Sequence, residues 1–176
     1  MESNRLLSDN YIKINHIASK CMRLFVILIL LYWVFTYIGG QCNIVLLCSC
    51  MGVCCILALA PTLFIDIFKN NESQCIKYIV IALAVLICTM LNITLSYTAM
   101  IVWIFPMLVA SLYYNKTMVL YTALLSTMGV FVADVINYSL SDMVVPPVHP
   151  DFADNMILSI APCVIAIFLM SFVSYY

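Results

Sequence analysis

After a polar, charged opening of about twenty residues, apolar runs separated by short polar interruptions fill the chain. A helix needs about twenty mostly apolar residues, and no fewer than about seventeen, to cross roughly 30 Å of hydrocarbon. Cut to that length, the pattern predicts spans over residues 22–38, 44–65, 78–94, 97–114, 117–136 and 156–173. Gly39, Gly40, Gln41, Cys42 and Asn43 form the first turn, and the polar stretch Lys69 to Gln74 separates spans two and three. From Tyr78 to Tyr114 no charge occurs, which is too long for one span and enough for two short ones. Asn92, Thr94 and Ser96 mark the expected break. Asn115 and Lys116 make a tight reversal, so spans four and five should pack as an antiparallel hairpin. A longer loop, Tyr138 to Asn155, precedes the last span.

Charge orients these spans, because cytoplasmic loops carry an excess of lysine and arginine. With the N-terminus inside, the inner segments hold Arg5, Lys13, Lys20 and Arg23, then Lys69 and Lys77, then Lys116, and the outer loops hold none of the seven cations. The expected fold class is therefore all-α: a polytopic bundle of six transmembrane helices, with both termini in the cytoplasm. Tyr113 and Tyr114, like Tyr175 and Tyr176, end spans at the inner interface where amphipathic rings sit. In residues 1–21, Ile14, Ile17, Ala18 and Cys21 recur at helical spacing, as in a helix lying on the inner surface, with Ser8 or Asp9 as its N-cap. The membrane domain proper is then 22–176.

Composition narrows the function. Hydrophobic residues make up 66% of the chain and charged ones 9%, so lipid must be its solvent, and a plasma-membrane, multi-pass location follows. A net charge of −1 gives no basic footprint for nucleic acid. The opening segment is too long and polar, and lacks the small-residue site, for a removable signal peptide. No HExxH, GxSxG, P-loop or paired acidic motif occurs, and His16 and His149 both lie outside the spans, so no catalytic activity and no cofactor are expected.

Several residues still carry candidate chemistry. Cys48, Cys50, Cys54 and Cys55 could attract a soft metal. No histidine accompanies them, and Cys48, Gly52 and Cys55 instead predict a face of small residues for close helix approach, with no metal site. Enlarging Gly52 to leucine should then disrupt helix association. Asp134 is the carboxylate nearest a span interior. Its distance from Lys116, about 27 Å of helix, puts it near the outer interface, facing water or capping an outward cavity. His149 and Asp151, with Asp154, could bind a metal or respond to pH in the outer loop. Pro61 and Pro106 should kink spans two and four, and such kinks can shape a ligand cavity. Asp134, Trp103, Pro106, His149 and Asp151 form the candidate ligand-binding set.

The stretch Phe105–Met128, FPMLVASLYYNKTMVLYTALLSTM, resembles the membrane-associated sensor domains of clostridial-type bacteria. The likeness lies in a proline-containing span ending in two aromatics, an Asn-Lys reversal, and a span opening Thr-Met-Val-Leu-Tyr-Thr. It covers about a seventh of the chain closely, together with the six-span plan. In such proteins five or six helices precede a cytoplasmic output module, often a GGDEF diguanylate cyclase or a histidine kinase. The resemblance implies a non-catalytic input domain that detects a ligand or membrane state, signals through its last helix, and works with a cytoplasmic signalling partner or as a homodimer. A small transporter or the substrate-binding subunit of an uptake system is the alternative, disfavoured by the lack of internal repeats and of midplane charge. A scaffold for cell-envelope assembly is a third.

Overall fold

The computed structural model describes the backbone of residues 2–38, 44–67, 75–95, 102–139 and 152–175. Everything described is helix or tight turn, with no strand among these residues. The helices are α1 (Glu2–Ile38), α2 (Ile44–Thr62), α3 (Cys75–Leu95), α4 (Ile104–Ser111), α5 (Lys116–Ser139) and α6 (Phe152–Tyr175). Four of them, α1, α2, α3 and α5, contain stretches long and apolar enough to cross a membrane. In α6 the described stretch Ile160–Val173 is apolar throughout most of its length.

Directions follow from paired contacts. The rings of Tyr78 and Tyr121 meet edge to face at 5.4 Å, while Asn137 Nδ2 donates to the Asn92 carbonyl at 3.0 Å. The two pairs keep nearly the same sequence offset, so α3 and α5 run parallel. Asn15 and Phe25 of α1 meet Tyr113 and Phe105 respectively, so α1 runs antiparallel to α4. Cys163 lies within electrostatic reach of Asp134, whereas Phe172 and Lys116 share a groove, so α6 runs antiparallel to α5.

The first difference from expectation is α1. No break separates residues 1–21 from the first predicted span; one helix of 37 residues, about 55 Å long, contains both. The reason lies in its inward face: Asn15, Ala18, Ser19, Met22, Phe25 and Ile29 are all buried at helical spacing. The polar members find partners instead of water. Tyr113 Oη donates to Asn15 Oδ1 at 3.1 Å, and the Ser19 and Thr62 hydroxyls lie 3.2 Å apart. Phe25 stacks on Phe105 with centroids 3.8 Å apart and planes 5° from parallel. Of the stripe expected at Ile14, Ile17, Ala18 and Cys21, only Ala18 is buried and Ile17 is exposed, and the face that packs on the bundle is the neighbouring one through Asn15, Ala18, Ser19 and Met22. Tyr113→Phe, which deletes one buried hydrogen bond, is expected to lower stability by about 1 kcal/mol without a change in helix content. Thermal unfolding in detergent measures it, and an unchanged midpoint would mean that the bond does not hold α1 down.

The prolines act differently from each other. Pro61 sits at the end of α2, and the next residues, Leu63–Ile67, form a π-helical turn, as expected where a missing N–H breaks the i→i+4 ladder. Pro106 does not kink a span. It is the third residue of α4, in the first turn, where a helical N–H has no intrahelical partner to lose. Of span four, expected over 97–114, the described part is a helix from Ile104 to Ser111, about 12 Å long, preceded by a 3₁₀ turn at Val102–Trp103; residues 97–101 lie outside the described residues. Asn92 and Thr94, expected at a break, lie within α3, where Asn92 is buried and its carbonyl is held by Asn137; Ser96 lies outside the described residues.

The expected hairpin between spans four and five is present, with α4 packed on α5. Tyr113 N–H and Tyr114 N–H bond back to Ala110 and Ser111, and Tyr114 takes a left-handed φ of 47°. Asn115 then caps α5: its Oδ1 accepts from Thr117 N–H at 2.9 Å.

The small-residue face of α2 is not where the chain packs. Gly52 and Cys48 are exposed, and a Cβ on Gly52 would meet nothing within 4 Å. Met51, Cys54 and Ala58 are the buried residues there. Gly52→Leu is accordingly expected to leave the folded chain's unfolding midpoint nearly unchanged, contrary to the expectation from spacing. None of the described cysteines is in a disulfide.

Candidate functional site

The core is closed by a layer where α3, α4 and α5 meet. Trp103, the residue before α4, is 1% exposed, and it reaches α5 where that helix has no side chain. A Cβ on Gly129 would stand 2.6 Å from Thr89 Oγ1 and 2.9 Å from Trp103 Cη2. Glycine is therefore required there by space, not by backbone conformation. Counting about 1.5 Å per residue from Lys77 and from Lys116, this layer sits roughly 18–20 Å along α3 and α5, well inside the bundle.

Most polar groups of the layer spend their hydrogens on their own helix. Thr89 Oγ1 donates to the Val85 carbonyl at 2.9 Å, and Thr122 Oγ1 to that of Met118 at 2.7 Å. Cys88 Sγ lies 3.5 Å from the Val102 carbonyl and ties α3 to the 3₁₀ turn. Two groups of the layer have no hydrogen-bond partner among the described residues: the Trp103 Nε1–H and the Ser126 hydroxyl, both fully buried. Buried polar groups are nearly always satisfied, so unpaired ones mark either strain or a missing ligand.

Of the five candidate residues, Trp103 and Pro106 are buried together at the start of α4. Asp134 lies on α5 five residues beyond Gly129, about 7.5 Å along the axis, near the opposite end of the bundle from Lys116. It does not face water. Its exposure is 4%, and it has a neighbour in Cys163 of α6. The reason is packing: Val130, Ala133 and Asp134 lie on the buried face of α5, which α6 covers. His149 and Asp151 lie outside the described residues. Sequence reading passed over Thr89, Ser126 and Gly129. The visible signal for them was a single glycine inside an apolar run, with a serine one turn earlier.

Among the described residues, apolar grooves open on the bundle surface. One, about 460 Å³, lies between α3 and α5, and its lining includes Thr89 and Gly129 over the Trp103 layer. Another, about 450 Å³, lies between α5 and α6 at the Lys116 end. Among the described residues no three His, Cys, Asp or Glu side chains converge as a metal site would need.

Comparison with protein-family models, with curated proteins and with solved structures finds no match to this chain.

Proposed function

We propose that the chain is a multi-pass plasma-membrane protein of six passes with both termini cytoplasmic, serving as a non-catalytic sensory or signal-coupling domain. Three arrangements support the topology. Parallel α3 and α5 require the segment between them to return. Lys13, Lys77 and Lys116 belong to the end of the bundle where Asn15 meets Tyr113, while Lys20 and Arg23 lie about 8 and 12 Å further along α1. At Phe172 the chain has come back to Lys116. Cations gathered at one end are what the cytoplasmic face attracts.

The observation that carries the coupling role is the continuity of α1. It contacts the core through Phe25 on Phe105, is held by Asn15 at the α4–α5 turn, and extends past that turn by a further thirteen residues, about 20 Å. A ligand that favours one packing of the Trp103 layer would change the seat of Phe105 and hence the set of α1. Such a ligand shifts the balance only by its difference in affinity between the two packings. In this reading α1, more than the last helix, carries the signal inward.

A substrate-binding subunit of an uptake system is the second reading. The short α4, starting inside the bundle, favours it, since broken helices recur in transporters. Affinity purification of the chain from its native membrane separates the two. A co-purifying protein with a signalling output module is expected; an ATPase with a coupling subunit would replace the sensory reading with the transport one.

A further inference from the structure

The groove between α5 and α6 differs from its neighbour in its polar liners: Thr117 and Ser171 join the lining, and a cation stands at its mouth. Lys116 is exposed and is the first residue of α5, where the helix dipole already places positive charge. A lysine there is unfavourable for the helix itself, and the two charges together make a local attractor for an anion. Beneath it Val119, Leu120 and Ala123 form one wall, and Phe168 with Phe172, one turn apart on α6, form the other. Leu120, Phe168 and Phe172 are 62%, 62% and 64% exposed, so the walls present apolar surface outward. The groove between α3 and α5 has comparable volume but only Thr89 as a polar liner, and no charge.

We infer that this groove holds one anionic phospholipid, its phosphate at Lys116 and one acyl chain along the walls between α5 and α6. A free anion would match the positive charge but leave the apolar walls uncovered, and a neutral lipid would fill the walls without the charge. The position is right for a lipid of the inner leaflet, whose surface is negative and whose head groups settle in basic clefts between helices. By bridging α5 to α6 the lipid would stiffen the pair that carries Asp134 and Cys163 at its other end. The inference rests on the membrane-spanning reading with Lys116 at the inner face, which a topology reporter at Lys116 examines by itself.

The test uses the full chain in neutral detergent, with phosphatidylglycerol, phosphatidylcholine or water-soluble glycerol 3-phosphate added. Native mass spectrometry should show phosphatidylglycerol retained about fivefold more tightly than phosphatidylcholine, the factor one interfacial lysine supplies. Lys116→Gln should abolish the preference and Lys116→Arg keep it, while glycerol 3-phosphate has no effect. A photoactivatable phosphatidylglycerol should label peptides of α5 and α6, not α2, in the unmutated chain, so the outcome does not depend on the variants folding. An equal preference in Lys116→Gln, labelling spread evenly over the helices, or binding of glycerol 3-phosphate alone would each overturn the inference.

Discussion

Gly129→Leu is expected to unfold the bundle or drive it to a different packing, and Gly129→Ala to weaken it measurably. Even the single Cβ of alanine would lie 2.6 Å from Thr89 Oγ1 and within 2.9 and 3.3 Å of two Trp103 ring carbons. Helix propensity alone argues the other way, by up to about 1 kcal/mol in favour of alanine. Overpacking a filled core costs about 1–3 kcal/mol, and here both obstacles are held: Thr89 by its bond to Val85, Trp103 by burial. The net expectation for Gly129→Ala is a loss of about 1–2 kcal/mol, or a fall of several degrees in Tm for a chain of this size. Adding Thr89→Ala should restore part of it, since that removes the nearer of the two obstacles, and the residual loss measures Trp103. Simple additivity of the two changes would mean that they do not share a contact.

Trp103→Ala is expected to be among the most damaging single changes, at about 3–5 kcal/mol, because the indole fills a layer bounded by three helices. Trp103→Phe separates packing from polarity. It keeps most of the ring and deletes an Nε1–H that is buried without a partner among the described residues, a group whose burial is itself unfavourable by about 1–3 kcal/mol. The phenylalanine variant should therefore unfold within about 1–2 kcal/mol of the parent. If the layer receives a ligand that accepts from Nε1, the same variant loses the response while staying folded. A Trp103→Phe chain as unstable as Trp103→Ala would show the indole N–H to be structural.

Residues that fix where helices stop were easier to read than residues that fix what they bury. The Asn-Lys reversal was visible because Asn115 is a strong capping residue and a lysine cannot sit in hydrocarbon, and the structure places the hairpin there. Pro61 likewise announced a local break, which takes the form of a π-helical turn. Faces were harder, because lipid-exposed and buried positions are both apolar, so periodicity loses its contrast. That is why the Cys48, Gly52 and Cys55 face was taken for a contact when Met51, Cys54 and Ala58 make it. Asp134 was misjudged for a related reason: distance along the helix gives depth, but not which way the side chain turns. In the first half of α1 the stripe Ile14, Ile17, Ala18 and Cys21 suggests a surface helix, while the burial of Asn15 and Ser19 depends on partners far away in sequence, Tyr113 and Thr62.

The account turns on the claim that the end of the bundle holding Lys13, Lys77 and Lys116 faces the cytoplasm and that the chain returns to it at its last helix. Reporter fusions read this directly, with alkaline phosphatase active only outside and a fluorescent protein only inside. Placed after Asn43, Lys69, Ser96, Lys116, Pro147 and Tyr176, they should report outside, inside, outside, inside, outside, inside. An outside report at Lys116 would contradict the six passes, the cytoplasmic placement of the cations and the role given to α1 together.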